Sequence, residues 1–295
     1  MATPEICFLF NAHSDSGNSK RIEKELREQI NKRWPESEFI LTHHDAEFWN
    51  DLKTELKDIH IIVACGGDGT VHRAGNLAIH LNALLGIVPV GSGNDFAHML
   101  GIPKSIPGAL NLISRQKNRR VDAIKLEGDI QCFCLNTAGM GLDGMANHYT
   151  NIYKKKVGKA GYLAGALKAI FKSRAFSCSL SIDGESRSIN CLMVTACNGR
   201  REGGSFWVAP DADPDDGLLD LLVVNPMTTP ARLLALPAFM LSGSDRLIDI
   251  ERTRCKKLEV SSTRPLFVHV DGEYSERKIQ YVTLTIQESA LQVIT

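Results

Sequence analysis

The sequence predicts an α/β N-terminal domain built on a parallel sheet, followed by a C-terminal antiparallel β-sandwich domain. Three observations carry this. Up to about residue 120, apolar β-branched runs alternate with amphipathic helical periods in a βαβαβαβ pattern, which demands crossovers and therefore parallel strands. Beyond Val121, short alternating runs are separated by Gly-, Asp- and Asn-containing turns, the texture of antiparallel strands. The 295 residues, 43% of them hydrophobic, supply two cores. The boundary falls near 118–122, giving domains 1–120 and 121–295, with the extreme C-terminus left open to pack back on the first domain.

In the first half, Ile6–Phe10 reads as a strand. Ser19–Arg33 reads as a helix, with Ile22, Leu26 and Ile30 at helical spacing. Glu38–Leu41 is a short strand, and Ala46–Lys57 a helix with Phe48, Leu52 and Leu56 on one face. Strand Ile59–Ala64, helix Val71–Leu81 and strand Leu84–Val90 complete the pattern. In the second half the strands are Ala123–Leu126, Ile130–Leu135, Phe176–Ile182, Ser188–Ala196, Leu218–Val224, Lys256–Val260, Leu266–Val270 and Gln280–Ile286. Helical inserts are expected near Gly158–Lys172 and Thr229–Met240.

Composition excludes several classes. Formal net charge is zero and the pI is about 7.1, so no nucleic-acid partner is expected. The eight cysteines include no CxxC pair and fall mostly in apolar runs, as reduced core residues in a reducing compartment do. Residues Met1–Glu5 lack a basic segment followed by an apolar one, so no signal peptide is expected. No run of about 20 apolar residues occurs; in Leu218–Leu241, Pro226, Pro230, Arg232 and Pro237 interrupt the pattern. The expected location is cytoplasmic.

Cys65–Thr70, C-G-G-D-G-T, joins the carboxyl end of a strand to a helix. Ligands bind at that edge of open α/β sheets. Gly66, Gly67 and Gly69 let backbone N–H groups approach phosphate oxygens at a helix N-terminus, and Thr70 adds a hydroxyl. Asp68 repels phosphate, so it points to a metal ion or a proton to be handled. A Walker A loop is excluded, because no Gly-Lys-Ser/Thr follows, and the glycine spacing is not a dinucleotide fingerprint. Gly91-Ser92-Gly93-Asn94-Asp95-Phe96-Ala97 forms a second glycine-rich turn at the same edge. Asp68 and Asp95 facing one crevice would need a cation or a shared proton, and Mg²⁺ suits that need; the alternative is a helix N-cap by Asn94 or Asp95. Asn11–Asn18 follows the first strand, as a ligand loop or a plain polar turn. Asp211–Asp220 carries five carboxylates in ten residues, either a solvated loop or a cation site. Asp271-Gly272-Glu273 taken alone is a hairpin turn. Asn151–Arg174 holds Lys154, Lys155, Lys156, Lys159, Lys168, Lys172 and Arg174 without an acid. It reads equally as a basic helix on an anionic membrane or a solvated face.

Together these segments resemble the diacylglycerol kinase catalytic-domain superfamily, in particular the soluble bacterial lipid kinases, over essentially the whole chain. Asn11–Gly17 is similar to the family's N-P-x-x-G-x-G segment, with Ala12 and Asp15 departing from it. Thr42 stands where the family keeps a nucleotide-contacting Thr. Gly66–Thr70 matches G-G-D-G-T in full. Gly91–His98 resembles G-T-x-N-D-F-A-R, with Ser92 for Thr and His98 for Arg. Phe133–Asn136 with Gly139–Asp143, Asn198–Gly204, Pro210–Asp220 and Asp271–Glu273 follow the family's order in the second domain.

The resemblance implies transfer of the γ-phosphoryl of ATP to a primary hydroxyl of a lipid such as diacylglycerol, at a site between the domains. Glu273 would be the general base. Asp68 and Asp95 would hold Mg²⁺ or its waters. Asn11, Thr42, Gly66, Gly67, Gly69, Thr70, Ser92 and Asn94 would contact ATP, and a structural Mg²⁺ would take the Asp216 carboxylate with the Asp213 and Leu218 carbonyls. The expected partners are ATP and a lipid at the inner face of the membrane; a homodimer is left open. Arg73 replaces a family Glu, which keeps a nucleotide-binding regulatory protein with weak or no kinase activity as an alternative. An NAD kinase, which shares G-G-D-G-T, is another.

Overall fold

A computed structural model describes residues 6–12, 19–43, 45–157, 160–240, 249–274 and 278–295, without the side chains of 154–157, 160, 162, 238, 240 and 274. The chain divides into two compact units, Met1–Val121 with Ser289–Thr295, and Asp122–Glu288.

The first unit runs β1 (Ile6–Phe10), α1 (Ser19–Arg33), β2 (Glu38–Leu41), α2 (Ala46–Glu55), β3 (Ile61–Gly66), α3 (Asp68–Leu81), β4 (Leu84–Pro89), α4 (Asp95–Met99), α5 (Ile106–Arg115) and the start of β5 (Asn118–Gly128). Its strands lie parallel in the order β2-β1-β3-β4. Every residue of β1 and β3 is buried. Successive side chains point to opposite faces, so both faces of the sheet are covered, which is why these strands read as unbroken apolar runs. Residues Gln292 and Val293 pair parallel with Leu84 and Leu85 and extend this sheet. The registers Phe10↔Leu41, Phe10↔Cys65 and Gly66↔Pro89 bring the carboxyl ends of the four strands to one edge.

The second unit continues with β6 (Cys132–Cys134), β7 (Thr137–Gly141), α6 (Leu142–Val157), α7 (Ala160–Lys172), β8 (Phe176–Ile182), β9 (Glu185–Cys191), β10 (Met193–Cys197), β11 (Arg201–Glu202) and β12 (Phe206–Trp207). It ends with β13 (Leu219–Val224), α8 (Thr229–Met240), β14 (Ile250–Cys255), β15 (Lys257–Leu266), β16 (Val268–Val270), β17 (Glu273–Tyr274) and β18 (Ile279–Ile294). One antiparallel sheet joins β18, β15, β8 and β9, and the other runs β14-β13-β10-β7-β16-β17. Between them lies a core that includes Phe176, Leu180, Met140, Val194, Leu221, Leu258, Val282 and Leu284. The outer face of the second sheet is covered in turn by Val208, Ala209, Ala212 and Ala235 against Leu192, Cys197, Leu222 and Val224. The two-part α/β and β-sandwich fold is the one the sequence implies.

Three local readings change. The run Ser188–Ala196 is two strands, because the chain switches sheets at Leu192, whose N–H donates to Val224 O and whose carbonyl accepts from Leu142 N–H. The insert near Gly158–Lys172 is preceded by a second helix, α6, of which the sequence reading took in only the part from Asn151, within one basic segment. Helix α3 begins at Asp68 rather than Val71, so Asp68, Gly69 and Thr70 form its first turn.

Candidate functional site

The first cluster of site residues stands at the carboxyl edge of the parallel sheet. Asn11 follows β1 and donates its N–H to Cys65 O at 3.4 Å; Thr42 follows β2, donates to Phe10 O at 2.8 Å and is buried. Gly67 caps α3 with extended backbone and no side-chain hydrogen bond. The Thr70 and Val71 N–H groups return to Gly67 O, both at 3.0 Å.

The two glycine-rich turns are interlocked backbone to backbone. A Cβ on Gly91 would stand 2.2 Å from Gly67 Cα, and one on Gly66 would stand 2.2 Å from Thr70 Oγ1. Val90 N–H donates to Gly66 O at 3.1 Å. Asp68 is the tie: its Oδ2 accepts the Asn94 N–H at 2.8 Å and its Oδ1 the Asp95 N–H at 2.7 Å. The carboxylate thus has two backbone donors as partners, which reasoning from charge alone did not include. Asn94 does not cap α4 through its side chain. It adopts a left-handed conformation (φ 58°), accepts from Gly91 N–H at 3.1 Å and donates to Gly91 O at 2.8 Å. A Cβ on Gly93 would lie 2.5 Å from Asp68 Oδ2 and 3.6 Å from Asp95 Oδ2, so both carboxylates converge beside Gly93. Asp95 is 7% exposed, and Ser92 lies in the turn between the glycines. Residues 13–18, which include most of the Asn11–Gly17 segment, lie outside the described residues.

In the second unit, Asp271 and Gly272 form a two-residue turn between β16 and β17, with φ of 52° and 78°. Both residues have positive φ, as a type I′ hairpin requires. The Asp271 side chain is buried and caps the 135–137 segment. It accepts N–H groups from Leu135 (2.9 Å), Asn136 (2.7 Å) and Thr137 (3.2 Å). Asn147 Nδ2 donates to Gly272 O at 2.8 Å. Glu273 follows on β17, half-buried.

The acidic loop is held from both sides. Buried Asp122 on β5, which the sequence reading passed over, accepts Gly217 N–H on its carboxylate at 2.8 Å, and its own N–H donates to Pro214 O at 2.7 Å. Asp213 Oδ1 accepts Asp215 N–H at 3.2 Å, and Asp216 Oδ1 accepts Leu218 N–H at 3.0 Å. Arg254 lies 3.6 Å from Asp216 and 3.2 Å from Asp220, and donates to Asp211 O at 2.9 Å. Burial raises the Asp220 pKa, against the opposing pull of Arg254.

A third cluster was missed by sequence reasoning. Asp143 opens α6, Glu202 lies on β11 and His269 on β16. His269 Nε2 stands 3.3 Å from Asp143 Oδ1 and 3.2 Å from Glu202 Oε1. Burial pulls the His269 pKa down, but the Glu202 and Asp143 carboxylates more than offset this and push it up to about 9. Burial would raise the Asp143 pKa, yet His269 and the Thr195 hydroxyl hold it below the usual range. The available signals were a histidine inside the apolar run Leu266–Val270 and the presence of Asp143 and Glu202 in the Gly139–Asp143 and Asn198–Gly204 segments.

Residues 5–126 match the diacylglycerol kinase catalytic domain, and residues 136–295 match the YegS C-terminal NAD kinase beta sandwich-like domain. The chain therefore belongs to the diacylglycerol kinase catalytic-domain superfamily, a kinase family. A probable lipid kinase YegS-like of Stenotrophomonas maltophilia is 29% identical over 92% of this chain and 91% of the relative. One of the same description from Pseudomonas aeruginosa is 31% identical over 79% of this chain and 75% of the relative. The solved structure of a diacylglycerol kinase from Bacillus anthracis superposes with a TM-score of 0.73 at 20% identity, covering all of this chain and 97% of that one.

Proposed function

We propose that the protein is an ATP-dependent lipid kinase that phosphorylates a primary hydroxyl of a lipid such as diacylglycerol. The observation that carries the phosphoryl-transfer reading is the pair of glycine turns locked by Asp68 at the carboxyl edge of the parallel sheet. The N-terminus of α3 offers backbone N–H groups and partial positive charge to phosphate oxygens. Gly66 and Gly67 let this turn pack against Thr70 and Gly91, which fixes the backbone at the helix start. Asn11, Thr42, Thr70, Ser92 and Asn94 supply polar groups at the same edge. The lipid acceptor is supported by the relatives' names and by the Asp271-Gly272-Glu273 segment.

In this reading Glu273 accepts the proton of the attacking hydroxyl, on a turn held by Asp271 and Asn147. Each carboxylate oxygen has two acceptor positions, so Asp68 can keep its two N–H donors and still face a cation or its waters with Asp95. Mg²⁺, when bound there, offsets the charge of the transferring phosphoryl group. A second, structural Mg²⁺ would use the Asp216 carboxylate with the Asp213 and Leu218 carbonyls, a set of hard oxygen donors of the kind such a cation takes. For the membrane surface, exposed Leu163, Phe171 and Leu234 accompany Lys172 and Arg174, exposed on and just after α7. The side chains of Lys154, Lys155 and Lys156, and Lys159 altogether, lie outside the described residues.

The test is transfer of labelled γ-phosphate from ATP to diacylglycerol, phosphatidylglycerol, a polyprenol and a sphingoid base in mixed micelles, with NAD⁺ as a parallel acceptor. Label in one lipid class supports the reading. Label in NAD⁺ alone, or in no acceptor while ATP still binds, replaces it with the NAD kinase or the regulatory protein.

A further inference from the structure

The cluster of buried His269 with the partly buried Asp143 and Glu202 lies wholly within the second unit and has no part in the reaction outlined above. Its ligand-type atoms lie within 4.8 Å of one another. His269 is fully buried, and its Nε2 makes no hydrogen bond of acceptable geometry although it faces two carboxylates. A charged N–H···O pair closes to about 2.7–2.9 Å; here the separations are 3.2 and 3.3 Å. Two ligands of a tetrahedral ion with bonds of about 2.0–2.1 Å would stand about 3.3–3.4 Å apart, close to both separations. Two carboxylates held this close to one imidazole need positive charge among them, from the ring's own proton or from a cation.

The surroundings are built for such an ion. Thr195 Oγ1 donates to Asp143 Oδ2 at 2.7 Å and fixes that carboxylate, the role an outer hydrogen bond plays at a metal centre. Gly139 is the residue that leaves room, since a Cβ there would stand 2.0 Å from Asp143 Oδ2 and 2.5 Å from His269 Nε2. The other ring nitrogen, Nδ1, accepts the Gly272 N–H at 3.4 Å, a long contact; an ion on Nε2 takes the place of that nitrogen's proton, which moves to Nδ1 as this contact is given up. One imidazole with two carboxylates suits a first-row transition metal better than Mg²⁺.

We propose that Asp143, Glu202 and His269 hold one divalent transition-metal ion of the Zn²⁺ or Mn²⁺ class, with water completing its coordination. The proposal is independent of the lipid-kinase reading, because its readouts need no turnover. The full chain, stripped with a chelator, is titrated with Co²⁺ and then Zn²⁺. The expected result is the visible absorption of low-coordinate Co²⁺, displaced by one equivalent of Zn²⁺, and at least about 100-fold weaker binding in His269→Gln. X-ray absorption of the Zn²⁺-loaded wild-type protein should show imidazole scattering with bonds near 2.0–2.1 Å. That measurement stands even where His269→Gln fails to fold. Absence of Co²⁺ absorption in the wild type, a Zn²⁺ shell without imidazole, or unchanged affinity in a folded His269→Gln protein would each overturn the site.

Discussion

Asp68 and Asn94 lie 26 positions apart in sequence, and the Asn94 backbone N–H donates to Asp68 Oδ2 at 2.8 Å. With the matching bond from Asp95, one carboxylate fastens the turn after β3 to the turn after β4. Asp68→Ala leaves two amide groups without that acceptor. We expect a loss of about 1–3 kcal/mol of stability, the usual scale for stranded donors, together with at least tenfold weaker ATP binding. Urea denaturation and ATP titration of the same sample check both. Unchanged values in each would remove Asp68 from both roles.

Gly91→Ala places a methyl group against Gly67 Cα, and backbone cannot step aside as a side chain can. The turns must part, at about 1–3 kcal/mol for overpacking. Thermal denaturation with and without ATP should show a lower midpoint and a smaller ATP-dependent rise. A wild-type rise would mean that the spacing of the turns does not govern nucleotide binding.

Glu273→Gln should leave the fold and ATP affinity near wild type and lower turnover by about 100-fold, the scale of a lost general base. Single-turnover kinetics with whichever acceptor takes label in the micelle assay is the appropriate measurement. A normal rate with chemistry limiting would exclude Glu273 as the base.

Asp216→Ala should cost little stability by itself. The counter-charge of the acidic loop that sequence reasoning assigned to a cation is supplied in part by Arg254, 3.6 Å from Asp216 and 3.2 Å from Asp220, and such partly exposed pairs contribute about 0–1 kcal/mol. What should disappear is stabilisation by Mg²⁺. A thermal-shift titration should show a Mg²⁺-dependent rise in wild type and none in the variant; equal rises would refute the site.

Reversing Lys168, Lys172 and Arg174 to Glu should weaken sedimentation with anionic vesicles, because each cation near such a surface contributes about 1 kcal/mol, screened by salt. The difference should be largest at low ionic strength. Equal sedimentation of both proteins there would identify α7 as a solvated face.

Much of this molecule was legible one segment at a time. The apolar run of β3, followed by glycines and a helical period, places Gly66–Thr70 at a strand-to-helix junction, because burial on both faces and backbone freedom leave local marks. Asp271-Gly272 reads as a tight turn for the same reason, and its positive φ values bear this out. The start of α3 was set three residues late, since Gly69 and Thr70 are weak helix formers whose first turn is held by Gly67 O and by the docking of Asp68. The break at Leu192 was hidden because the polar, exposed strand β9 runs straight into the apolar strand β10 with no turn residue between them, and only their different partners separate them.

By itself, then, the sequence determined the alternation of elements, the chemistry of each turn and the order of motifs along the chain. These depend on side-chain periodicity and on backbone preferences within a few residues. Only the tertiary structure decided that Asp68 clamps residues 94 and 95, that Arg254 lies among the acids of the 211–220 loop, and that His269 meets Asp143 and Glu202. Each of those meetings is set by which strands pair and in what register. Pairing follows from the packing of whole sheets, and no single stretch of sequence records it.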